Sequence, residues 1–228
     1  MRYIPSTMSR APTFPVPPQL ARGLLPRATT VLAVIARPGQ ESAELGALLY
    51  AFRRSGARVA VLSLTRGEAS PLNATIERLE TRRVWEMQVA VGLLGATALA
   101  IADYPDGGLA GRPAGELAEL VGREVRRHMA DLVMIIDPVA GDSDQAAVAG
   151  AARAAAVQAG VPAVMRMTLG TGSGRVITLG AEATVARAVQ RSAAAAHASQ
   201  AEALPGIEHD LSLLGDREMV RWLAPATG

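Results

Sequence analysis

The run Thr30-Val31-Leu32-Ala33-Val34-Ile35-Ala36 constrains the fold more than any other part of the chain. It is continuous, apolar and rich in β-branched residues, the pattern of a strand buried on both faces of a parallel sheet. Helical spacing follows over Glu41 to Ser55, with Leu45, Leu48, Leu49 and Phe52 on one face, and stops at Gly56, a C-cap residue. Arg58 to Thr65 then reads as a second strand. Together the three segments form a βαβ unit, which commits the chain to an α/β architecture.

The alternation continues downstream. Asn73 to Leu94 predicts the longest helix, Ala96 to Ala102 a short strand, and Pro105-Asp106-Gly107-Gly108 a tight turn. Pro113 to Met129 predicts a helix, Leu132 to Asp137 a strand, and Asp144 to Ala159 an alanine-rich helix ending at Gly160. Two strands, Ala163 to Leu169 and Arg175 to Leu179, flank a glycine-rich stretch. A helix from Glu182 to Gln200 and a last short helix from Asp216 to Leu223 complete the reading. The expected fold is Rossmann-like and three-layered, with a mostly parallel sheet and ligand sites beyond the carboxyl ends of the strands. Residues 1–28, with five prolines before Arg22, read as a flexible tail, and residues 29–228 as a single domain.

Composition excludes several function classes. Aromatic residues make up only 3% of the chain, so Ala, Val and Leu must fill the core. All 23 basic residues are arginine, yet the net charge is only +2 and the arginines are scattered, without the dense stripe a nucleic-acid surface needs. No segment approaches the ~20 apolar residues of a membrane helix. The absence of cysteine removes disulfides and thiolate ligands and fits a cytoplasmic protein. Gly170 to Gly174 connects two strands and lacks the lysine of a phosphate-binding loop, so it reads as a hairpin or lid.

The chemistry is expected in the loops after the strands. The first reads Ala36-Arg37-Pro38-Gly39-Gln40-Glu41, followed by Gly46. Thr65-Arg66-Gly67-Glu68-Ala69 follows the second strand, and Arg83, Glu86, Ala90, Leu94 and Gly95 mark the long helix. Asp103-Tyr104-Pro105-Asp106-Gly107-Gly108-Leu109 forms the turn, and His197-Ala198-Ser199-Gln200 ends the last long helix. In this order, over Thr30 to Gln200, the motifs resemble those of the LmbE/PIG-L de-N-acetylases. There the first loop is A-H-P-D-D-E, whose His and second Asp bind zinc and whose first Asp is the general base. The family's second catalytic loop, roughly G-H-P-D-H, supplies a catalytic His and the third zinc ligand.

The same resemblance shows what has changed. The ligand positions hold Arg37, Gln40 and Gln145, the base position holds Gly39, and the second catalytic His position holds Asp142. Arginine stays protonated and repels cations, and glutamine amides are poor zinc ligands. Zinc is therefore expected to be absent, and with it the activated water and polarised carbonyl that hydrolysis needs. The expectation is a degenerate relative that binds a small polar molecule, such as an amino sugar or natural-product intermediate, or a protein partner. The candidate ligand residues are Arg37, Glu41, Arg66, Asp106, Asp144 and His197. Arg37 has two readings: a receptor for a ligand's anionic or carbonyl group, or a partner for Asp142 or Asp144 that holds the loops. Arg83 and Glu86, three apart, predict a salt bridge. The alternative is an enzyme that rebuilt a metal-independent site from Glu41, Asp142, Asp144 and His197, or that uses the cleft for another reaction.

Overall fold

The computed structural model describes residues 2–4, 25–69, 79–168, 174–201 and 215–223. In chain order the elements are β1 (Arg2–Ile4), β2 (Thr30–Ile35), α1 (Gln40–Ala43), α2 (Gly46–Arg54), β3 (Arg58–Thr65) and α3 (Leu79–Leu93). They continue with β4 (Ala98–Tyr104), α4 (Ala114–His128), β5 (Leu132–Ile136), α5 (Ser143–Ala159), β6 (Ala163–Met167) and β7 (Arg175–Thr178). The last are α6 (Ala183–Ala195), α7 (Ala198–Ala201) and β8 (Arg217–Leu223).

Among the described residues the strands form one sheet in the order β1-β4-β3-β2-β5-β6-β8-β7. Its centre, β4-β3-β2-β5-β6, is parallel throughout. From β2 the chain winds outward to β3 and β4, then returns to lay β5 on the other side of β2. The carboxyl ends of β2 and β5 therefore border the switch point, where this architecture opens a crevice.

The unbroken apolar run of β2 is explained by burial on both faces. Val31, Ala33 and Ile35 enter one core with Leu48, Phe52, Met87 and Leu94, while Leu32, Val34 and Ala36 enter the other with Leu117 and Val121. The small residues of α5 are buried too, Ala151, Ala152, Ala155 and Ala156 among them. They let this helix lie close on the sheet and on α4, which is how a chain poor in aromatics still fills its interior. On the outer side of α3, Trp85, Val89 and Leu93 are exposed.

Four expectations change. Asp216 to Leu223 is not a helix: β8 runs antiparallel between β6 and β7, so those two strands are not direct neighbours. The first helix is broken into α1 and α2, and the segment Glu182 to Gln200 is interrupted before His197, where α6 gives way to α7. Part of the expected tail, Arg2–Ile4, forms an edge strand antiparallel to β4. The start of the long helix and most of the glycine-rich stretch lie outside the described residues.

Candidate functional site

The loops after β2, β3, β4 and β5 converge at the carboxyl end of the sheet. The first two are tied together by Thr65, whose backbone N–H and hydroxyl both donate to the Ala36 carbonyl at 2.9 Å. The turn after β4 is held by side-chain acceptors: Asp144 accepts from the N–H groups of Gly107 (2.8 Å) and Ala110 (3.2 Å). Asp106 in turn accepts from Ala69 N–H at 3.1 Å, and Glu68 accepts from Asp106 N–H at 2.8 Å.

Arg37 sits at the junction. Its Nη1 and Nη2 donate to the two carboxylate oxygens of Asp142, both at 3.0 Å, and its Nε lies 3.3 Å from Asp106. The fork matches a carboxylate in plane, which an ammonium could not do. Burial alone would lower the Arg37 pKa, but the bonded Asp142 and the nearby Asp106 and Asp144 more than offset it, and the net shift is upward. The guanidinium is a third exposed and permanently charged. The expected pairing is formed with Asp142, and Asp106 is an additional partner.

The other altered positions are committed to backbone groups. The Gln40 side-chain Oε1 accepts from Ala36 N–H (2.9 Å) and Arg37 N–H (3.3 Å), closing the loop on itself. The Gln145 side-chain Oε1 accepts from Val139 N–H at 2.7 Å. Asp142 caps α5 by accepting from Gln145 N–H at 2.9 Å. The crevice bordered by Gln40, Gln145, Ile135 and Val148 has no room for a water molecule.

These residues do not fit a zinc ion. A cation occupies the centre, the two amide oxygens already serve backbone donors, and no cluster of three or more His, Cys, Asp or Glu side chains is placed to hold a metal among the described residues. The base position is closed as well as substituted. Gly39 has φ +98°, and a Cβ there would stand 2.5 Å from Gln200 Oε1, while Gln200 Nε2 donates to the Pro38 carbonyl at 3.0 Å. Gly39→Ala should therefore lower stability by about 1–3 kcal/mol, from left-handed strain plus the collision. Denaturant unfolding of Gly39→Ala and of the double variant with Gln200→Ala separates the two contributions. Equal stability of Gly39→Ala and the parent would disprove both.

Glu41 and His197 pair behind the loop instead of lining its surface. His197 Nε2 lies 2.6 Å from Glu41 Oε1, both side chains are almost wholly inaccessible, and Glu41 also accepts from Ser42 Oγ and Gly39 N–H at 2.8 Å. Arg66 does reach the rim, paired with the exposed Asp103 at 3.1 Å. The expected Arg83–Glu86 bridge does not form. Glu86 pairs with Arg82 at 3.0 Å and accepts from Ser199 N–H (3.0 Å) and Oγ (2.6 Å), while Arg83 turns inward. That orientation was legible in its spacing with Met87, Ala90 and Leu94, all on the buried side.

Several solved structures share this architecture. A deacetylase of the teicoplanin biosynthesis pathway superposes with a TM-score of 0.73 at 17% identity, covering 87% of this chain and 99% of that one. The N,N'-diacetylchitobiose deacetylase of Pyrococcus horikoshii gives 0.69 at 16%, covering 87% and 84%. The 4-carboxy-2-hydroxymuconate hydratase of Pseudomonas putida KT2440 gives 0.61 at 14%, covering 88% and 98%. No curated protein matches the chain. The family model described as PIG-L, GlcNAc-PI de-N-acetylase, matches residues 32–156, more than half of the sequence. The chain belongs to the PIG-L family.

Proposed function

We propose that this protein is a non-hydrolytic member of its family, free of zinc, whose cleft binds a small polar molecule. The observation that carries the reading is the Arg37 fork on Asp142: a tethered guanidinium, flanked by Asp106, stands among the positions where the family resemblance places metal and base. A permanent cation there opposes a second one, and neither Gln40 nor Gln145 has an oxygen oriented for coordination. Arg37, Arg66 and Asp106 would frame the ligand, with Asp144, buried and committed to Gly107 and Ala110, holding the turn after β4, and Glu41 and His197 supporting the loop from behind. The deacetylases among the structural neighbours favour an amino sugar or a natural-product intermediate as ligand.

Elemental analysis of purified protein, alongside a de-N-acetylation assay on N-acetylglucosaminyl substrates, tests the reading. The expected outcome is no stoichiometric zinc and no turnover. One zinc per chain, or turnover abolished by a chelator, would overturn it. Metal-free turnover would instead support the second reading, an enzyme with a rebuilt, metal-independent site. The hydratase among the neighbours favours the wider form of that reading, since this fold carries a reaction other than deacetylation in that protein.

A further inference from the structure

We propose that the exposed face of α3 is an interface with a second copy of this chain, the two α3 helices packing antiparallel about a two-fold axis between Gln88 and Val89. The face is an apolar stripe. Trp85, Val89 and Leu93 recur at helical spacing on the side turned away from the buried Arg83, Met87 and Ala90, and Trp85 is 63% exposed. One exposed apolar residue is ordinary. Three in line along a single helix, led by a tryptophan, mark an interaction surface.

A glycine in the same stripe is the second observation. Gly92 lies in the last turn of α3, where glycine weakens a helix relative to alanine. Among the described residues nothing stands within 4 Å of the place its Cβ would take. The fold of one chain therefore gives no reason for the missing side chain. A second helix does: bare backbone at residue 92 is a hollow that a large ring can fill, and helices approach more closely where the contact residue is small.

The spacing fits a second copy. In a two-fold pair each contact occurs twice, so one surface must carry both the knob and its hole. With the axis between Gln88 and Val89, Trp85 of each copy meets Gly92 of the other, with Leu93 beside it, and Val89 meets Gln88. A parallel pair would instead set Trp85 against Trp85 and Arg82 against Arg82. Antiparallel packing keeps the two Arg82 residues about 20 Å apart, at a rise of ~1.5 Å per residue. Each Arg82, half-exposed on this face, then lies at the carboxyl end of the partner's α3, whose partial negative charge attracts a cation. That last turn has no basic residue of its own. One helix crossing buries less than the ~800 Å2 per partner of a standard interface, so the pair belongs with weak, concentration-dependent associations.

Sedimentation velocity of the full-length protein over about two decades of concentration reads the association. The expected result is an average mass that rises from one chain towards two. Trp85→Ser and Gly92→Gln should each weaken the association at least ~10-fold. In dilute protein, Gly92→Gln should also raise Tm by about 1–3 °C, because a glycine leaves a helix. Association and stability moving in opposite directions distinguish a lost interface from a damaged fold. The chain has no cysteine, so single cysteines report the orientation. Gln88→Cys, beside the axis, should form an intermolecular disulfide on mild oxidation, and Thr81→Cys, more than about 20 Å from its copy, should not. A single chain at every concentration would overturn the proposal. So would association that Trp85→Ser and Gly92→Gln leave unchanged, since another face would then be the interface. A fall in Tm for Gly92→Gln would assign the glycine to the fold of one chain and overturn the Trp85–Gly92 contact. Cross-linking through residue 81 as readily as through residue 88, or through neither, would overturn the antiparallel arrangement.

Discussion

Replacing Glu218 by alanine should lower folding stability by about 3–5 kcal/mol, the range for removing one partner from a buried ion network. Glu218 lies on β8 with 1% of its surface exposed, between two buried guanidiniums. Arg187 Nη1 is 2.6 Å from one carboxylate oxygen and Arg166 Nε 3.4 Å from the other. Arg187 keeps neutral acceptors in Gln190 Oε1 and the carbonyls of Gly215 and Arg217, and Arg166 keeps Glu44. Neither set replaces the charge lost at the centre. Glu218→Gln preserves an acceptor and the shape, so it should lose roughly half as much. Urea unfolding of both variants gives the comparison, and an alanine loss below about 1 kcal/mol would mean that the surrounding carbonyls suffice. The effect should reach the cleft too. Gln190, bonded to Arg187, donates to the carbonyls of Ser42 (3.2 Å) and Ala43 (2.9 Å) at the end of α1, the helix that carries Gln40 and Glu41.

That network also marks the limit of what could be read in advance. The β2-α-β3 unit was legible because continuous β-branched runs and a helical repeat are local signals, and burial on both faces of β2 is what they encode. The segment Arg217–Leu223 carries no such signal. Glu218, Met219 and Leu223 suit a helix as well as a strand, and pairing with β6 and β7, Arg166 opposite Val220 and Val176 opposite Met219, decides the matter through partners distant in sequence. The break between α1 and α2 also involves a tertiary partner: Gln190 Nε2 donates to the carbonyls of Ser42 and Ala43, which a continuous helix would offer to the N–H groups of Gly46 and Ala47.

At the site, arginine, glutamine and glycine at the positions the resemblance assigns to metal and base are informative one residue at a time, and they carry the expectation of a lost metal. They leave open what those side chains do instead. Asp106 as a second partner of Arg37 and the retreat of Glu41 and His197 behind the loop depend on side-chain directions that spacing does not fix.

Restoring the ligand types should restore the metal but not the reaction. The triple variant Arg37→His, Gln40→Asp and Gln145→His exchanges a permanent cation and two amides for two imidazoles and a carboxylate, the donors zinc prefers. Removing Arg37 also frees Asp142, at present held in the bidentate pair, to orient a new imidazole. One zinc per chain should then bind at least ~100-fold more tightly than to the parent protein, read by calorimetry near neutral pH, where histidine is largely unprotonated. De-N-acetylation should remain absent, because the base position is still Gly39. Adding Gly39→Asp brings a side chain to within 2.5 Å of Gln200 Oε1, so the carboxylate cannot take its place while Gln200 stays bonded to Pro38. Only with Gln200 shortened as well should turnover become measurable. A folded triple variant that binds no zinc would mean that these three positions are not the metal's. Turnover in the triple variant alone would mean that a base other than residue 39 serves the cleft. The altered positions thus follow β2 and β5, with Gln200 of α7 against residue 39, and undoing any one substitution leaves the others in the way.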